Sequence, residues 1–311
     1  MNRTNSVFFR FVGAGLLLAA WLVSGWMAAR PCPDRAFLSG LLAAAVILGC
    51  GLLLFFLNEK VMSGASLPVL LSYVILATAN PSALYFSRFH AAALLLAGSF
   101  TCYVLFAAQR PSMENLCGAW ILLGIAALLE PPFLWLAPVM ALTSAGRAES
   151  KPRFIAATLL FLVLPAAAWI GILYLKGEAA PAQSFLQTMW DGMSDLHHPA
   201  FRFSAASLCR ILVTAIACVL AAIRILKRLD SYKISQYRAA IRLIIMTLSL
   251  CLLVLFFYAD GDGIPSGLVT LLPVSLMLGE FTGPSRSRPA GRTMAAFLLL
   301  FLLAERISLF V

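Results

Sequence analysis

Long runs of apolar residues dominate the chain, and short polar stretches separate them. A bilayer core of about 30 Å requires about 20 apolar residues in a helix. This pattern predicts an all-α fold, a polytopic bundle of transmembrane helices that forms one domain over residues 1–311. The chain contains eleven apolar segments, some of full length and some short: Phe11–Ala29, Ala36–Leu57, Val61–Ala79, Phe89–Ala108, Leu116–Leu129, Pro131–Leu142, Phe154–Leu175, Ala205–Ile225, Ile241–Tyr258, Ile264–Leu278 and Thr293–Phe310.

A proline break lies between two of the shorter segments, Leu116–Leu129 and Pro131–Leu142. Its sequence is Glu130-Pro131-Pro132. Proline removes a hydrogen-bond donor and clashes with the preceding helical turn. The break predicts either two tilted, short helices or a re-entrant hairpin around Pro131. Both alternatives leave the outer ends of the pair on the same side of the membrane.

Composition excludes the soluble classes of protein. Hydrophobic residues make up 62% of the chain, charged residues make up 12%, and the mean hydropathy is +0.93. A soluble globular domain has about 45–50% apolar and about 25% charged residues. We therefore expect a multi-pass protein whose main partner is the lipid bilayer.

The distribution of basic residues predicts the orientation. If the N-terminus is cytoplasmic and all eleven segments cross, sixteen of the 23 Lys and Arg residues face the cytoplasm and seven face the other side. Cytoplasmic loops collect Lys and Arg, so this asymmetry supports a bacterial inner (cytoplasmic) membrane protein with a cytoplasmic N-terminus. It also explains the net charge of +10 without nucleic acid as a partner. We expect the first segment to be an uncleaved helix.

Two long polar stretches differ in character. Arg224–Arg242 carries six bases and one acid, and it is read as a topology determinant or as a site for anionic lipid head groups. Lys176–Ser204 is predicted to be extracytoplasmic. Within it, 184–196 has the spacing of an interfacial helix or of a cap over the bundle; its apolar positions are Phe185, Leu186, Met189, Trp190, Met193 and Leu196.

Glu130 and Asp34 are the candidate catalytic residues. Glu130 stands at the break, where an ionisable group is costly unless it faces a cavity or a partner. Such a carboxylate could act as a general base, or it could be a solvated acid at a helix end. Asp34 is the single acid of the first predicted extracytoplasmic loop. Candidate contacts to lipid head groups are Arg88, Arg210, Arg224, Lys227 and Arg228.

Motifs for cofactors and metals are missing from the sequence. It contains no P-loop, no dinucleotide fingerprint and no G-x-S-x-G, so we expect no cofactor. Asp260-Gly261-Asp262-Gly263 begins like a calcium loop but places Ile264 and Leu271 at ligand positions. His197-His198 has no third ligand at metal spacing, and the seven scattered cysteines form no C-x-x-C pair. We expect no metal site.

Three stretches together resemble an uncharacterised family of multi-pass inner-membrane proteins from Bacteroidota: Asn115–Trp135, Phe161–Leu175 and Gly263–Phe281. The resemblance implies location and architecture, and no substrate. The helix–break–helix at Gly118–Leu142 is also similar, more distantly, to the core of membrane glycosyltransferases that use polyprenyl-phosphate sugars. Those enzymes place catalytic acids in a sizeable first extracytoplasmic loop, which here is only Arg30–Arg35.

Two hypotheses of function follow. The first is a non-catalytic component of the cell envelope, with other envelope proteins as assembly partners. The alternative is a minimal glycosyltransferase that uses a polyprenyl-phosphate sugar at the extracytoplasmic face, with a polyprenyl lipid as partner. In that alternative Arg88 or Arg210 holds the phosphate beside the catalytic acid.

Overall fold

The computed structural model describes residues 33–62, 66–78, 81–108, 112–145, 151–176, 179–194, 205–227, 232–258 and 267–282. Within these ranges the chain is helical and forms no β-strand, which confirms the predicted all-α class. Two 3₁₀ turns cover Pro81–Leu84 and Pro131–Trp135. The α-helices are α1 (Pro33–Val61), α2 (Ser66–Ala77), α3 (Arg88–Ala108), α4 (Met113–Leu129), α5 (Leu136–Ala145), α6 (Lys151–Leu175), α7 (Ala179–Ser194), α8 (Ala205–Lys227), α9 (Ile234–Phe257) and α10 (Gly267–Thr282).

Nine predicted apolar segments lie wholly or mostly within the described ranges, and the described part of each is mainly helical. The first and last predicted segments lie outside them. By length and composition, α1, α3, α6 and α9 can each cross a membrane. Shorter apolar helices of 10–17 residues occupy α2, α4, the 131–145 region and α10. These helices indicate a membrane-embedded protein.

The packing leaves much apolar surface on the outside of the bundle. Helix α6 is the extreme case, because Leu159, Leu160 and Val163 are all more than half exposed. Large exposed apolar patches mark contact with a membrane or with another protein. Helix α10 is the opposite case: its residues 271–279 are all buried, as expected for a helix that is apolar on all sides.

Contacts between distant helices define two ends of the bundle. At one end, which we call the Glu130 end, Arg88 and Tyr258 both contact Glu130. At the other end, the Arg242 end, Arg242 contacts Tyr103 and Thr143. Arg88 and Tyr103 are both on α3, and a rise of 1.5 Å per residue places them about 22 Å apart. The hairpin of α4 and α5 therefore runs along α3 between the same two ends.

Helix α9 begins earlier than the sequence pattern predicts, at Ile234 instead of Ile241. The backbone N–H of Lys233 donates to Gln236 Oε1 at 3.2 Å and so caps the first turn. The start was missed because the apolar run begins only after the polar first turns of this helix. Arg238 consequently belongs to the helix although it precedes the predicted segment Ile241–Tyr258, which already included Arg242.

Candidate functional site at the Glu130 end

The site is built on the predicted break after α4. Pro131 disfavours a helical backbone for the residue before it, and Glu130 has φ −136° and ψ 93°. Its N–H still donates to the Ala126 carbonyl at 2.9 Å, and its own carbonyl accepts from Phe133 N–H at 3.1 Å. Glu130 thus ends α4 and starts the 3₁₀ turn, and both of its backbone groups are satisfied.

The Glu130 carboxylate has a partner on each oxygen. Arg88 Nε lies 2.9 Å from Oε1, and the Tyr258 hydroxyl donates to Oε2 at 3.2 Å. The two charged side chains differ greatly in burial, since 8% of the Glu130 side chain is exposed against 77% of the Arg88 side chain. A buried carboxylate is therefore paired with an exposed arginine side chain. The contacts join the α4–α5 break to the start of α3 and the end of α9.

Three aromatic rings, those of Phe89, Phe133 and Tyr258, pack together next to this ion pair. The centroid of the Phe89 ring lies 5.2 Å from that of Tyr258 and 5.7 Å from that of Phe133, both in edge-to-face geometry. Phe133 and Tyr258 are 6.2 Å apart. Edge-to-face aromatic pairs are favourable beyond the area they bury. Tyr258 thus joins the buried Glu130 carboxylate to this aromatic cluster.

Burial raises the pKa of Glu130 above its usual range, and the positive charge of Arg88 and the Tyr258 hydrogen bond offset part of that rise. The pKa of the Tyr258 hydroxyl is also raised, first by burial and then by the negative charge of Glu130. Tyr258 therefore remains a hydrogen-bond donor throughout the physiological range. Both groups lie beyond the ends of the apolar helices.

His90, two residues after Arg88 on α3, has a structural role. Its Nε2 lies 2.9 Å from the Ala83 carbonyl, which can only accept, so Nε2 carries the proton. Nδ1 then accepts from the Ser87 N–H at 3.2 Å and from the Ser87 hydroxyl at 3.0 Å. This pairing resembles a capping box at the start of α3. It fixes the turn that carries Arg88.

Helix α7 packs beside the break. Trp135 Nε1 donates to the Met193 carbonyl at 3.2 Å, and Gly192 lies so close that a Cβ there would be 3.1 Å from Pro131. Phe185 and Met193 are half-buried, whereas 68% of Trp190 is exposed. The predicted apolar stripe is therefore divided between a face toward the bundle and a face away from it.

The remaining candidates lie on other helices or outside the described residues. Asp34 is in the first turn of α1 and Arg210 is in α8, and the described structure does not include the side chain of either residue. Ser39, also near the start of α1, accepts from Phe86 N–H at 2.9 Å, so this helix begins at the Glu130 end. Arg224 and Lys227 occupy the last turn of α8. Arg228, His197 and His198 are outside the described residues.

The sequence predicted Glu130 and Arg88 as site residues but did not predict Tyr258, Phe89 and Phe133. Tyr258 closes an apolar run, and a terminal tyrosine is common where a helix meets the membrane surface. Nothing in the local pattern distinguishes it from such a residue. Within the described ranges, no group of three or more His, Cys, Asp or Glu side chains could hold a metal ion.

No family model, curated protein or solved structure matches this chain. The resemblances to the Bacteroidota family and to the glycosyltransferase core therefore stay predictions. The assignment of function rests on the geometry at the Glu130 end.

Proposed function

We propose that the chain is a non-catalytic component of the bacterial cell envelope, a multi-pass inner-membrane protein of the Bacteroidota type described above. The observation that carries this proposal is that the Glu130 carboxylate is bound by other residues of the chain. Both of its carboxylate oxygens have partners within the chain, and 8% of the side chain is exposed. A general base must reach the proton that it removes from a substrate. Glu130 instead joins three helices at one end of the bundle.

The proposed architecture has eleven segments, a cytoplasmic N-terminus and the Glu130 end outside. In it, α4 and α5 with its preceding 3₁₀ turn are two short crossing helices, and the re-entrant alternative is set aside. The lengths of the two helices support the proposal that each crosses the membrane. Helix α4 spans about 25 Å, and the 3₁₀ turn together with α5 spans about the same distance. Helix α7 lies in the interface, with Trp190 facing apolar surroundings.

Reporter fusions test this orientation. Fusions after Arg153 and after Lys233 are expected to report the cytoplasm, and a fusion after Gln183 is expected to report the opposite side. The physical reason is the excess of Lys and Arg on the cytoplasmic side. An extracytoplasmic signal after Lys233 would overturn the eleven-segment arrangement.

A second candidate function is the transfer of a sugar from a polyprenyl phosphate. The observation that favours it is the position of Arg88, which contacts Glu130 and whose side chain is 77% exposed at the end assigned to the outside. A guanidinium binds phosphate well. In this alternative Arg88 holds the phosphate, and Glu130 or Asp34 accepts the proton of the acceptor hydroxyl.

Variants of the two acids separate these functions. We expect Glu130→Gln and Asp34→Asn to restore a deletion strain as well as the wild-type chain does, at equal amounts of inserted protein. General-base catalysis contributes about 10²–10⁴-fold in rate, so loss of a catalytic acid would be conspicuous. Glu114→Gln, an exposed acid in the first turn of α4, is the matched control. Two results together would establish the enzyme instead. Glu130→Gln alone would fail to restore the deletion strain, and the wild-type protein would transfer sugar from a labelled polyprenyl-phosphate sugar.

A further inference from the structure

Arg242 is a buried cation at the end of the bundle opposite Glu130. It is 6% exposed and lies eight residues after the first residue of α9, or about 12 Å along the helix. Charged residues at such positions in membrane helices are rare, and they usually face a partner or a functional site. A buried charge is unfavourable unless it is paired and hydrogen-bonded. The partners of Arg242 therefore determine what this residue does.

The described residues compensate only part of this charge. Arg242 Nη2 donates to the Thr143 carbonyl at 2.9 Å, in the last turn of α5. The guanidinium carbon lies 5.6 Å from the centroid of the Tyr103 ring. A cation–π contact and a carbonyl at a helix C-terminus both favour a cation. Tyr103 and Thr143 are themselves joined by a hydrogen bond between their hydroxyls.

Two features indicate a missing anion. The Nε–H of Arg242 is buried and has no hydrogen-bond partner, and in the described part of the chain no carboxylate lies within salt-bridge distance of this guanidinium. Arg238 lies one helical turn earlier on α9 and is exposed. Like charges at this spacing destabilise a helix. Among the described residues at this end, donors and positive charge thus outnumber the acceptors.

We propose that Arg242 and Arg238 bind the phosphate group of an anionic ligand at the Arg242 end. A phosphate presents several strong acceptor oxygens and pairs with guanidinium groups in fork geometry. The site lies close to the helix ends, where lipid head groups lie, so its source is a phospholipid head group or free phosphate. Tyr103 and Thr143 orient Arg242 for this contact.

The proposed site differs from the predicted head-group contacts. Those were Arg88, Arg210, Arg224, Lys227 and Arg228, none of which is on α9; Arg238 and Arg242 were included only as part of the basic stretch Arg224–Arg242, one interpretation of which was a site for anionic lipid head groups. Lys227 is exposed, and an exposed lysine near a membrane gives diffuse attraction to anionic lipid. Arg242 is held by two named partners, so it predicts a saturable site with a defined geometry. The inference is independent of the proposed envelope function.

The test is calorimetric titration of the full-length chain in a neutral detergent. The probes are dioctanoyl phosphatidylglycerol, dioctanoyl phosphatidylcholine and inorganic phosphate. We expect saturable binding of phosphatidylglycerol that weakens at least about tenfold in Arg242→Gln, the cost of losing charge-assisted hydrogen bonds. Arg238→Gln, at an exposed position, is expected to weaken it several-fold with no effect on folding. Arg153→Gln removes an exposed cation from the start of α6 and is expected to change little.

The outcomes decide both the site and its source. Equal binding of phosphatidylglycerol and inorganic phosphate identifies free phosphate as sufficient, whereas binding of phosphatidylglycerol alone identifies the lipid. Unchanged affinity in Arg238→Gln and in folded Arg242→Gln would overturn the proposal. An equal loss in Arg153→Gln would also overturn it, because attraction would then depend on total charge. If Arg242→Gln does not give a single peak in gel filtration, Arg238→Gln and Arg242→Lys carry the test.

Discussion

Gly124→Ala is expected to lower the free energy of unfolding by about 1–3 kcal/mol, the usual cost of forcing extra atoms into a packed contact. A Cβ at Gly124 would lie 2.7 Å from the Leu162 carbonyl oxygen and 3.0 Å from Pro165 Cγ. The carbonyl is backbone and cannot rotate away, so α4 and α6 must separate. Small residues at such contacts let membrane helices approach closely.

The matched control is the same substitution at Gly171 on α6, where a Cβ would have nothing within 4 Å. Gly171→Ala is expected to change the free energy of unfolding by no more than about 0.5 kcal/mol. Reversible unfolding in mixed detergent micelles measures both variants. Equal effects at the two glycines would contradict the close approach of α4 and α6.

Arg88→Gln is expected to destabilise the protein more than Glu130→Gln, although the two residues form one ion pair. Removal of Arg88 leaves a buried carboxylate without its charge partner, which costs about 1–3 kcal/mol at neutral pH. Removal of the Glu130 charge leaves Arg88, which is 77% exposed and stays solvated. The loss of such an exposed charge contact costs at most about 1 kcal/mol.

The loss of stability that follows removal of Arg88 is expected to depend on pH. Because burial raises the pKa of Glu130, the folded state holds this proton more tightly than the unfolded state does. The resulting contribution to stability is fully present below the ordinary carboxyl pKa and is lost as pH rises through the raised pKa. Without Arg88 the pKa rises further. The loss of stability in Arg88→Gln should therefore be small near pH 4, which is close to the ordinary carboxyl pKa. It should be larger near pH 8.

Melting curves of the two variants at both pH values measure the difference. Arg153→Gln, which removes an exposed cation elsewhere, is the control for a general loss of charge. A deficit of Arg88→Gln that is independent of pH, or an equal deficit in Glu130→Gln, would contradict the role of Arg88 as the charge partner of a buried acid.

Local patterns determined the elements of this protein. An apolar run of sufficient length forms a helix in a bilayer because every backbone polar group must be satisfied within the segment. The two adjacent prolines, Pro131 and Pro132, disfavour a continuous helix, so the break at Glu130 was predictable, although single prolines stay inside α6 (Pro165) and α10 (Pro273). The amphipathic spacing of 184–196 likewise predicted helix α7. The polar first turns of α9 were missed because they are helical without being apolar.

Only the tertiary structure decided which side chains meet. Arg88, Glu130 and Tyr258 come from separate helices, and their contacts depend on which helices are neighbours and on how each is rotated. Apolar positions occur on every side of these segments, so their periodicity does not reveal the inward face. The same reason hid the burial of Arg242, whose sequence neighbourhood is that of a basic stretch at a helix end. Its environment is set by the Tyr103 ring and the Thr143 backbone carbonyl, two groups on other helices that no local pattern connects to it.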